Sequence, residues 1–204
     1  MIPDGYTNLA PGKIASVVTY LEMTERPAQP AASSTVRLRR IEHPSLDWYR
    51  SRYKHAGTQW LWFSRLEISD EQLASLLQRP TTEVLIAEHE APEAKEVGLA
   101  ELDRSDPLNV EITSFALFPE WFGKGLGRAF MEELLARAWT TTRTGPGPVS
   151  RVWLHTCTLD SPAALAFYLK CGFRAYKRAI EVADDPRIRG ILPENAAPHV
   201  PVIR

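Results

Sequence analysis

Hydrophobic and polar positions along the chain follow the period of strands in some segments and the period of helices in others. Apolar and β-branched runs, bounded by polar segments or segments rich in Pro, Gly and Ser, predict a series of strands. These are Ile14–Met23, Val36–Ile41, Glu83–Glu88, Glu96–Asp103, Val110–Phe118, Val152–Thr156 and Phe173–Arg178. A polar turn around Pro92 and Glu93 follows the third run, so the third and fourth strands are expected to form a hairpin.

Helical periodicity is clearest between Gly125 and Thr140, where apolar residues recur at intervals of four on one helix face. They are Leu126, Phe130, Leu134 and Ala138, with Met131 and Leu135 beside them. The segment is therefore predicted to be an amphipathic helix.

Shorter helices are expected at three other places. One covers Ser45–Lys54, and a second begins near Ser69, where Gln72 completes a capping pattern. A third is expected to be capped by Asp160 or Ser161 and to end at Gly172.

Composition and charge narrow the class of protein. The 204 residues are 44% hydrophobic and 24% charged, with a formal net charge of -1, which is typical of a globular protein and argues against nucleic-acid or membrane partners. The two cysteines, Cys157 and Cys171, have no histidines at metal-ligand spacing, so neither a disulfide scaffold nor a metal site is expected. The N-terminus has no basic start followed by an apolar run, which predicts a cytoplasmic location.

A glycine-rich turn precedes the long helix, with Gly123, Gly125 and Gly127 at alternate positions. Such a turn exposes backbone N–H groups that have no partner in the helix, and the helix dipole adds positive potential. Lys124 and Arg128 can supply charge. The turn therefore predicts a site for a phosphate or pyrophosphate, although a merely flexible turn would have the same glycines.

Two common nucleotide motifs do not fit this spacing. A P-loop requires Ser or Thr after its lysine, but Lys124 is followed by Gly125. A dinucleotide fingerprint requires a third glycine where Arg128 or Phe130 falls.

The turn resembles instead the acetyl-CoA site of GNAT N-acetyltransferases, whose pattern is Gln or Arg, two residues, Gly, one residue, and Gly or Ala. Gly125 and Gly127 match the two small positions, while Phe122 stands where the family has Gln or Arg. The resemblance implies that acetyl-CoA is the co-substrate and that Phe115, Ala116 and Leu117 offer backbone groups to its pantetheine arm. It also implies that the pyrophosphate is bound by Phe122, Gly123, Lys124, Gly125, Leu126, Gly127 and Arg128.

A second resemblance lies in the helix that precedes Gly172. GNAT proteins commonly have Phe-Tyr, three residues and Gly-Phe there, as in Phe167-Tyr168 and Gly172-Phe173 of this chain. The resemblance implies that the hydroxyl of Tyr168 lies near the cofactor sulfur and protonates the departing thiolate. Taken alone, a tyrosine on a core helix is equally explained by packing.

Glu111 begins a strand, Glu111-Ile112-Thr113-Ser114-Phe115-Ala116-Leu117, that resembles the strand carrying the general base of several GNAT enzymes. The resemblance implies that Glu111 accepts the proton of the amine, directly or through water. Glu101 on the preceding strand is a competing candidate, and a merely solvated glutamate is a third interpretation. His155 and Cys157 suggest a nucleophilic pair, but two residues on one strand do not by themselves build one.

Pattern and resemblance together imply an α/β fold, namely a GNAT-like mixed, twisted sheet of six or seven strands with helices on both faces. The cofactor is expected to enter where two central strands splay. Residues 1–204 are predicted to form a single GNAT-like acetyltransferase domain, with an N-terminal β pair over about 14–41 and an extended C-terminal tail over about 184–204.

The implied reaction is direct transfer of an acetyl group from acetyl-CoA, without a metal, to a primary amine of a small molecule or a protein. A non-catalytic acyl-CoA-binding or sensing module is the alternative, and a homodimer is compatible with the sequence. The acceptor pocket is expected among aromatic residues that core packing would explain equally well. They are Trp48, Tyr49, Tyr53, Trp60 and Trp62.

Overall fold

The computed structural model describes residues 4–28, 35–91, 93–141 and 147–204. Its strands are β1 (Lys13–Met23), β2 (Val36–Ile41), β3 (Thr82–Ala91), β4 (Glu93–Asp103), β5 (Asn109–Leu117), β6 (Arg151–Cys157) and β7 (Arg174–Asp184). Its helices are α1 (Leu46–Gly57), α2 (Ser64–Glu67), α3 (Asp70–Leu77), α4 (Leu126–Ala138) and α5 (Ala164–Lys170). None of the helices in these ranges is long and apolar enough to cross a membrane.

The seven strands form one mixed sheet in the order β2-β3-β4-β5-β6-β1-β7. Only β5 and β6 run parallel, and every other neighbouring pair is antiparallel. The expected hairpin is formed by β3 and β4, and its turn residue Pro92 lies outside the described residues. The predicted mixed sheet is therefore confirmed.

The N-terminal β pair expected over about 14–41 is wrong, because β1 and β2 are not neighbours and β3, β4, β5 and β6 lie between them. Strand β1 is inserted between β6 and β7, whereas β2 pairs with β3. The reason lies in the two faces of β1: Ile14 packs in one buried cluster and Leu21 in another. A strand that buries both faces suits an inner position of a sheet.

Helices cover both faces of the sheet, as predicted. On one face, α4 and α5 pack through residues such as Phe130, Leu134 and Tyr168 against the strands. On the other, Tyr49 and Tyr53 of α1 join Leu73 and Leu77 of α3 over β3 and β4. The sheet is thus the middle layer, and a site between its strands lies between two packed layers.

Helix starts follow local capping chemistry in two cases. Ser69 forms the expected capping box: its hydroxyl accepts from the Gln72 amide at 3.2 Å, and the Gln72 side chain accepts from the Ser69 amide at 2.9 Å. At the start of α1, the Ser45 hydroxyl accepts one hydrogen bond from the Trp48 amide. These caps fix the starts of α1 and α3.

The expected cap at Asp160 or Ser161 is wrong, because α5 begins only at Ala164 and its N-cap, Ala163, provides no side-chain hydrogen bond. The carboxylate of Asp160 instead accepts from the Cys157 amide at 2.9 Å and from the Thr156 hydroxyl at 2.6 Å. Asp160 therefore closes the end of β6 rather than starting the helix.

Buried Arg104 fixes the far end of α4 to the sheet. Its guanidinium donates to Glu83 of β3 at 2.5 Å and to the carbonyl oxygens of Arg137, at 2.7 Å, and of Ala138, at 3.2 Å. A cation at a helix C-terminus also complements the helix dipole. Because one end of α4 is anchored, the glycine turn at its other end is held in place.

The C-terminal tail is not extended as predicted, but folds into successive turns over the sheet. Arg187, 4% exposed, is paired with the carboxylate of Asp185 and donates to the carbonyl oxygen of Val200 at 2.8 Å. Leu192 is buried beside Ile14 and Leu61. A buried ion pair and an apolar contact thus give the segment a fixed path despite its prolines.

Candidate active site

The central feature of the site is the separation of β5 from β6. These strands pair only at Asn109–Arg151, Val110–Val152 and Glu111–Trp153. Beyond that point β5 continues along β4 to Leu117, and β6 continues along β1 to Cys157. The expected splay between two central strands is therefore present.

A β-bulge explains why pairing stops there. Opposite Glu101 and Leu102, the register of β5 passes from Ser114 to Ile112, so that Thr113 is the extra residue. A bulge bends its strand and increases the local twist. The bend falls two residues beyond the last β5–β6 pair and turns β5 away from β6.

Glu101 holds the bulge. It is 2% exposed and accepts hydrogen bonds from the hydroxyls of Thr113 and Tyr49, both at 2.7 Å, and from the Arg65 guanidinium at 2.6 Å. Burial, followed by the Glu101 charge, raises the pKa of Tyr49 and keeps its hydroxyl protonated as a donor. With both oxygens engaged, Glu101 is placed as a structural anchor rather than as a base.

The splay leaves one edge of β5 open. In an antiparallel pair, alternate residues direct their N–H and C=O groups toward the partner strand, so the others point to the opposite side. Over Ile112–Leu117 that opposite side is the gap left by β6. The Phe118 amide donates to the Val97 carbonyl oxygen, so the backbone of Ala116 also faces β4, and Phe115 and Leu117 direct their backbone groups into the gap, where an amide-containing chain would find partners.

The glycine turn lies at the end of β5. Gly123 has a φ of +72° and Gly125, the N-cap of α4, a φ of +77°, and nothing lies within 4 Å of a Cβ placed at either. No side chain caps α4, so the amides of its first turn, beginning at Leu126, are available to a ligand. A helix start without a side-chain cap, with open space beside its two glycines, has the features of an anion site.

The two basic side chains of the turn have other partners. The ammonium of Lys124 lies 4.5 Å from the centre of the Trp121 ring. Arg128 donates to Glu132 at 2.5 Å and to the carbonyl oxygen of Lys170 at 3.0 Å, which ties α4 to the end of α5. The Lys124 ammonium keeps its charge in this contact and adds to the potential of the backbone amides, whereas the charge of Arg128 is paired with Glu132. Phe122 adds an exposed apolar side chain.

A cavity of about 830 Å³ occupies the gap and extends to the far side of the sheet. The side next to the glycine turn is formed by the open edge of β5 and by α5, through Phe115, Ala116, Leu117, Phe122, Gly123, Gly127, Phe167 and Tyr168. The far side is formed by the loop between α1 and α2 and by the end of β6, through Gln59, Trp60, Trp62, Phe63, His155, Cys157 and Asp160.

Tyr168 reaches this cavity from α5. Its ring packs against Phe115 and Phe173, with ring centres 6.2 Å apart in both contacts. Burial, together with the charge of Asp160, strongly raises the pKa of the hydroxyl, which therefore remains protonated at neutral pH. The hydroxyl makes no hydrogen bond to any residue that the structure describes, so it is a free donor at the cavity wall.

Glu111 does not line the cavity itself, but it contacts a residue that does. Its Oε1 lies 3.7 Å from Nδ1 of His155 on the neighbouring strand, and the His155 side chain is 47% exposed. The interaction with Glu111 raises the pKa of His155 above its ordinary value, despite the opposing effect of burial. Glu111 can therefore act on the cavity through the imidazole.

A cysteine nucleophile is not supported. Cys157 lines the cavity, but burial followed by the charge of Asp160 raises the pKa of its thiol. A raised pKa reduces the thiolate fraction, and the imidazole of His155 is directed at Glu111.

The aromatic residues expected to form an acceptor pocket divide into two groups. Tyr53, Trp60 and Trp62 line the cavity, whereas Tyr49 is bonded to Glu101 in the core and Trp48 packs under Arg52. The indole N–H of Trp62 donates to Asp160 at 3.0 Å, which fixes its ring. Asp160 thus joins the aromatic wall of the cavity, formed by Tyr53, Trp60 and Trp62, to the end of β6. The position of Asp160 in the sequence did not indicate this role.

The C-terminal tail supports this wall from behind. Leu61 has a left-handed φ of +55°, and its side chain is buried against Leu192 and Ala196. The ring of His199 meets that of Trp60 edge-on, with centres 5.8 Å apart. A strained non-glycine residue persists only where its surroundings hold it, so the tail helps to set the shape of the cavity.

Comparisons with known proteins agree with this geometry. Residues 80–175 match the family described as acetyltransferase (GNAT) domain. An uncharacterized N-acetyltransferase from Mycobacterium tuberculosis is 32% identical over 112 residues, which cover 55% of this chain and 65% of that relative. The match thus spans slightly less than two thirds of the relative's length.

Solved structures agree on the fold. A spermidine N-acetyltransferase from Vibrio cholerae in complex with CoA and spermine aligns with a TM-score of 0.54 and 19% identity, over 75% of this chain and 98% of that one. A functionally unknown conserved protein from Staphylococcus epidermidis aligns with a TM-score of 0.54 and 15% identity, over 85% and 64% of the two chains. Residues 80–175 thus match the GNAT acetyltransferase family, and the fold of the chain is similar to the folds of these two solved structures.

The anion site is tested by Gly125→Glu. The new side chain puts a negative charge beside the expected pyrophosphate, and two like charges about 4 Å apart cost on the order of 4 kcal/mol near a protein surface. We expect close to a thousand-fold loss of acetyl-CoA affinity, measured by calorimetric titration.

The matched control is Gly12→Glu, since Gly12 has a similar φ of +78° and open space around it but lies outside the cavity lining. It should fold with similar strain and keep its affinity. Unchanged affinity in a folded Gly125→Glu protein would remove the glycine turn from the binding site.

Proposed function

We propose that the protein is an N-acetyltransferase that transfers the acetyl group of acetyl-CoA to a primary amine by direct attack. The observation that carries this proposal is that one cavity contains three features. They are the glycine turn, the open edge of β5, and a wall formed by His155 and aromatic rings. The first two features suit a pyrophosphate and a peptide-like pantetheine arm. The third suits an amine.

In this proposal the backbone of residues 122–128 binds the pyrophosphate, and the open edge of Phe115–Leu117 pairs with pantetheine. These contacts place the thioester near the end of β5, beside Tyr168. Holding both reactants in one cavity converts a bimolecular step into an effectively unimolecular one.

The chemistry then needs a proton acceptor, an oxyanion donor and a proton donor. His155 accepts the proton of the amine, directly or through water, and Glu111 orients the imidazole and raises its pKa. A backbone N–H near Leu117 polarises the thioester carbonyl as the amine attacks. Tyr168, whose hydroxyl is protonated, donates a hydrogen bond to the departing thiolate and then its proton, a transfer that the raised pKa of the hydroxyl opposes and the developing thiolate charge favours.

Turnover separates this function from a non-catalytic acyl-CoA-binding module, because both bind the cofactor. We expect CoA release that depends on a primary amine, with polyamines among the first acceptors to test because a structural neighbour is a spermidine N-acetyltransferase. Tyr168→Phe keeps the ring packing, so acetyl-CoA affinity should persist while turnover falls by roughly 10²–10⁴-fold. Absence of turnover with every amine, or normal turnover in Tyr168→Phe with chemistry rate-limiting, would contradict the proposal.

A pH–rate profile tests the pair of Glu111 and His155. The base must be neutral, so kcat/KM should fall as the pH drops through the raised pKa of His155. Glu111→Gln removes the charge that raises this pKa, and the acid limb should therefore move to lower pH, with a lower plateau because the imidazole is a weaker base. His155→Gln should lose this limb and drop the plateau by roughly 10²–10⁴-fold.

One acceptor must be used throughout, so that its own titration is common to all profiles. Superimposable profiles for the wild type and Glu111→Gln would make Glu111 a bystander. A Glu111→Gln profile like that of His155→Gln would instead support Glu111 as the base.

A further inference from the structure

We propose that the acceptor half of the cavity selects primary amines without a neighbouring carboxylate, so that amines formed by decarboxylation are preferred to the corresponding amino acids. This inference rests on the proposed function. It is carried by the charges and rings of the wall that faces away from the glycine turn.

The charges of this wall favour a cation. Among the described residues that line the cavity, the carboxylate and imidazole side chains of the acceptor half are Asp160, Glu181 and His155, and no Lys or Arg is among them. Behind His155 lies Glu111, at 3.7 Å, so even a protonated imidazole is already balanced by a carboxylate. The local charge is negative, which attracts an ammonium group.

The rings of the wall also favour a cation. Tyr53 and Trp62 are tilted with centres 5.4 Å apart, and Trp60 and Phe63 lie beside them along the cavity. The hydrogen bond from Trp62 to Asp160 holds the indole in place. Aromatic faces attract ammonium groups and also pack against the apolar body of an amine.

A carboxylate next to the amine would have no comparable partner. A buried carboxylate requires a cation or several hydrogen-bond donors to offset the loss of water. The neutral donors include Gln59, whose amide nitrogen is buried without a hydrogen-bond partner among the described residues, and Ser64 and Ser161 also line the cavity. Neutral donors suit a neutral carbonyl oxygen better than a full negative charge.

Three compounds that share an aromatic body and a primary amine test this inference: phenethylamine, phenylalanine and phenylalaninamide. The amine and the amide should each have a kcat/KM at least tenfold above that of the amino acid, measured as CoA release. Phenylalaninamide is the control for size, because it restores the bulk of the carboxylate without its charge. Equal or better turnover of phenylalanine would overturn the inference and leave the proposed function standing.

Charge reversal at the cavity mouth provides the second measurement. Glu181 lies on exposed β7, where a new side chain has room. Glu181→Lys should lower kcat/KM for phenethylamine and raise it for phenylalanine, each several-fold and more strongly at low salt. Glu93→Lys, with the same charge change at an exposed position outside the cavity lining, should leave the ratio unchanged.

An unchanged ratio in Glu181→Lys would overturn the electrostatic argument. Turnover of none of the three compounds would overturn the inference as well. Spermidine in the same assay then separates the inference from the proposed function. Turnover of spermidine would leave the proposed function standing. No turnover of spermidine, with acetyl-CoA still bound, would overturn both the inference and the proposed function.

Discussion

The arrangement of the site depends on one buried carboxylate, Glu101, and the bulge that it holds in β5. Its partners come from three other elements: Tyr49 from α1, Arg65 from α2 and Thr113 from β5. A buried charge is tolerated when it is paired and hydrogen-bonded, and removal of one partner is then costly. The bulge turns β5 away from β6. The Glu101 carboxylate also fixes α1 and α2, the two helices that the aromatic loop of residues 58–63 connects. The cofactor side and the acceptor side of the cavity are therefore positioned by the same group.

The two sides of the cavity use opposite electrostatics. Next to α4 the positive potential comes from the backbone amides of the turn and from the Lys124 ammonium, while the charge of Arg128 is paired with Glu132. On the acceptor side it comes from carboxylates, with His155 as the single basic side chain among the described lining residues. Under the proposed function, an anionic cofactor and a cationic acceptor are drawn to different ends of the cavity. Their reacting groups meet in the middle, where Tyr168 is buried and protonated.

Features that depend on neighbouring residues in the sequence could be predicted. Features that depend on contacts between distant segments could not. The strands, the capping box at Ser69 and the glycine turn follow from short-range pattern, and the expected splay follows from the family resemblance. The local sequence does not predict a bulge at Thr113, because Thr113 is neither Gly nor Pro. The bulge is held by Glu101, which lies on another strand. The position of β1 and the fold of the tail likewise depend on packing across the sheet. The sequence suggested His155 only as the partner of a cysteine nucleophile. Its contact with Glu111 depends on the parallel pairing of β5 with β6.

Amide hydrogen exchange, measured with and without CoA, tests the central claim that the open edge of β5 and the glycine turn bind the cofactor. The account predicts added protection in two segments, Ile112–Leu117 and residues 123–128, because amides that face the gap gain partners. Amides of β3, which are already paired on both sides in the sheet, should be unchanged. CoA binding with no added protection in β5, or with protection confined to other strands, would contradict it.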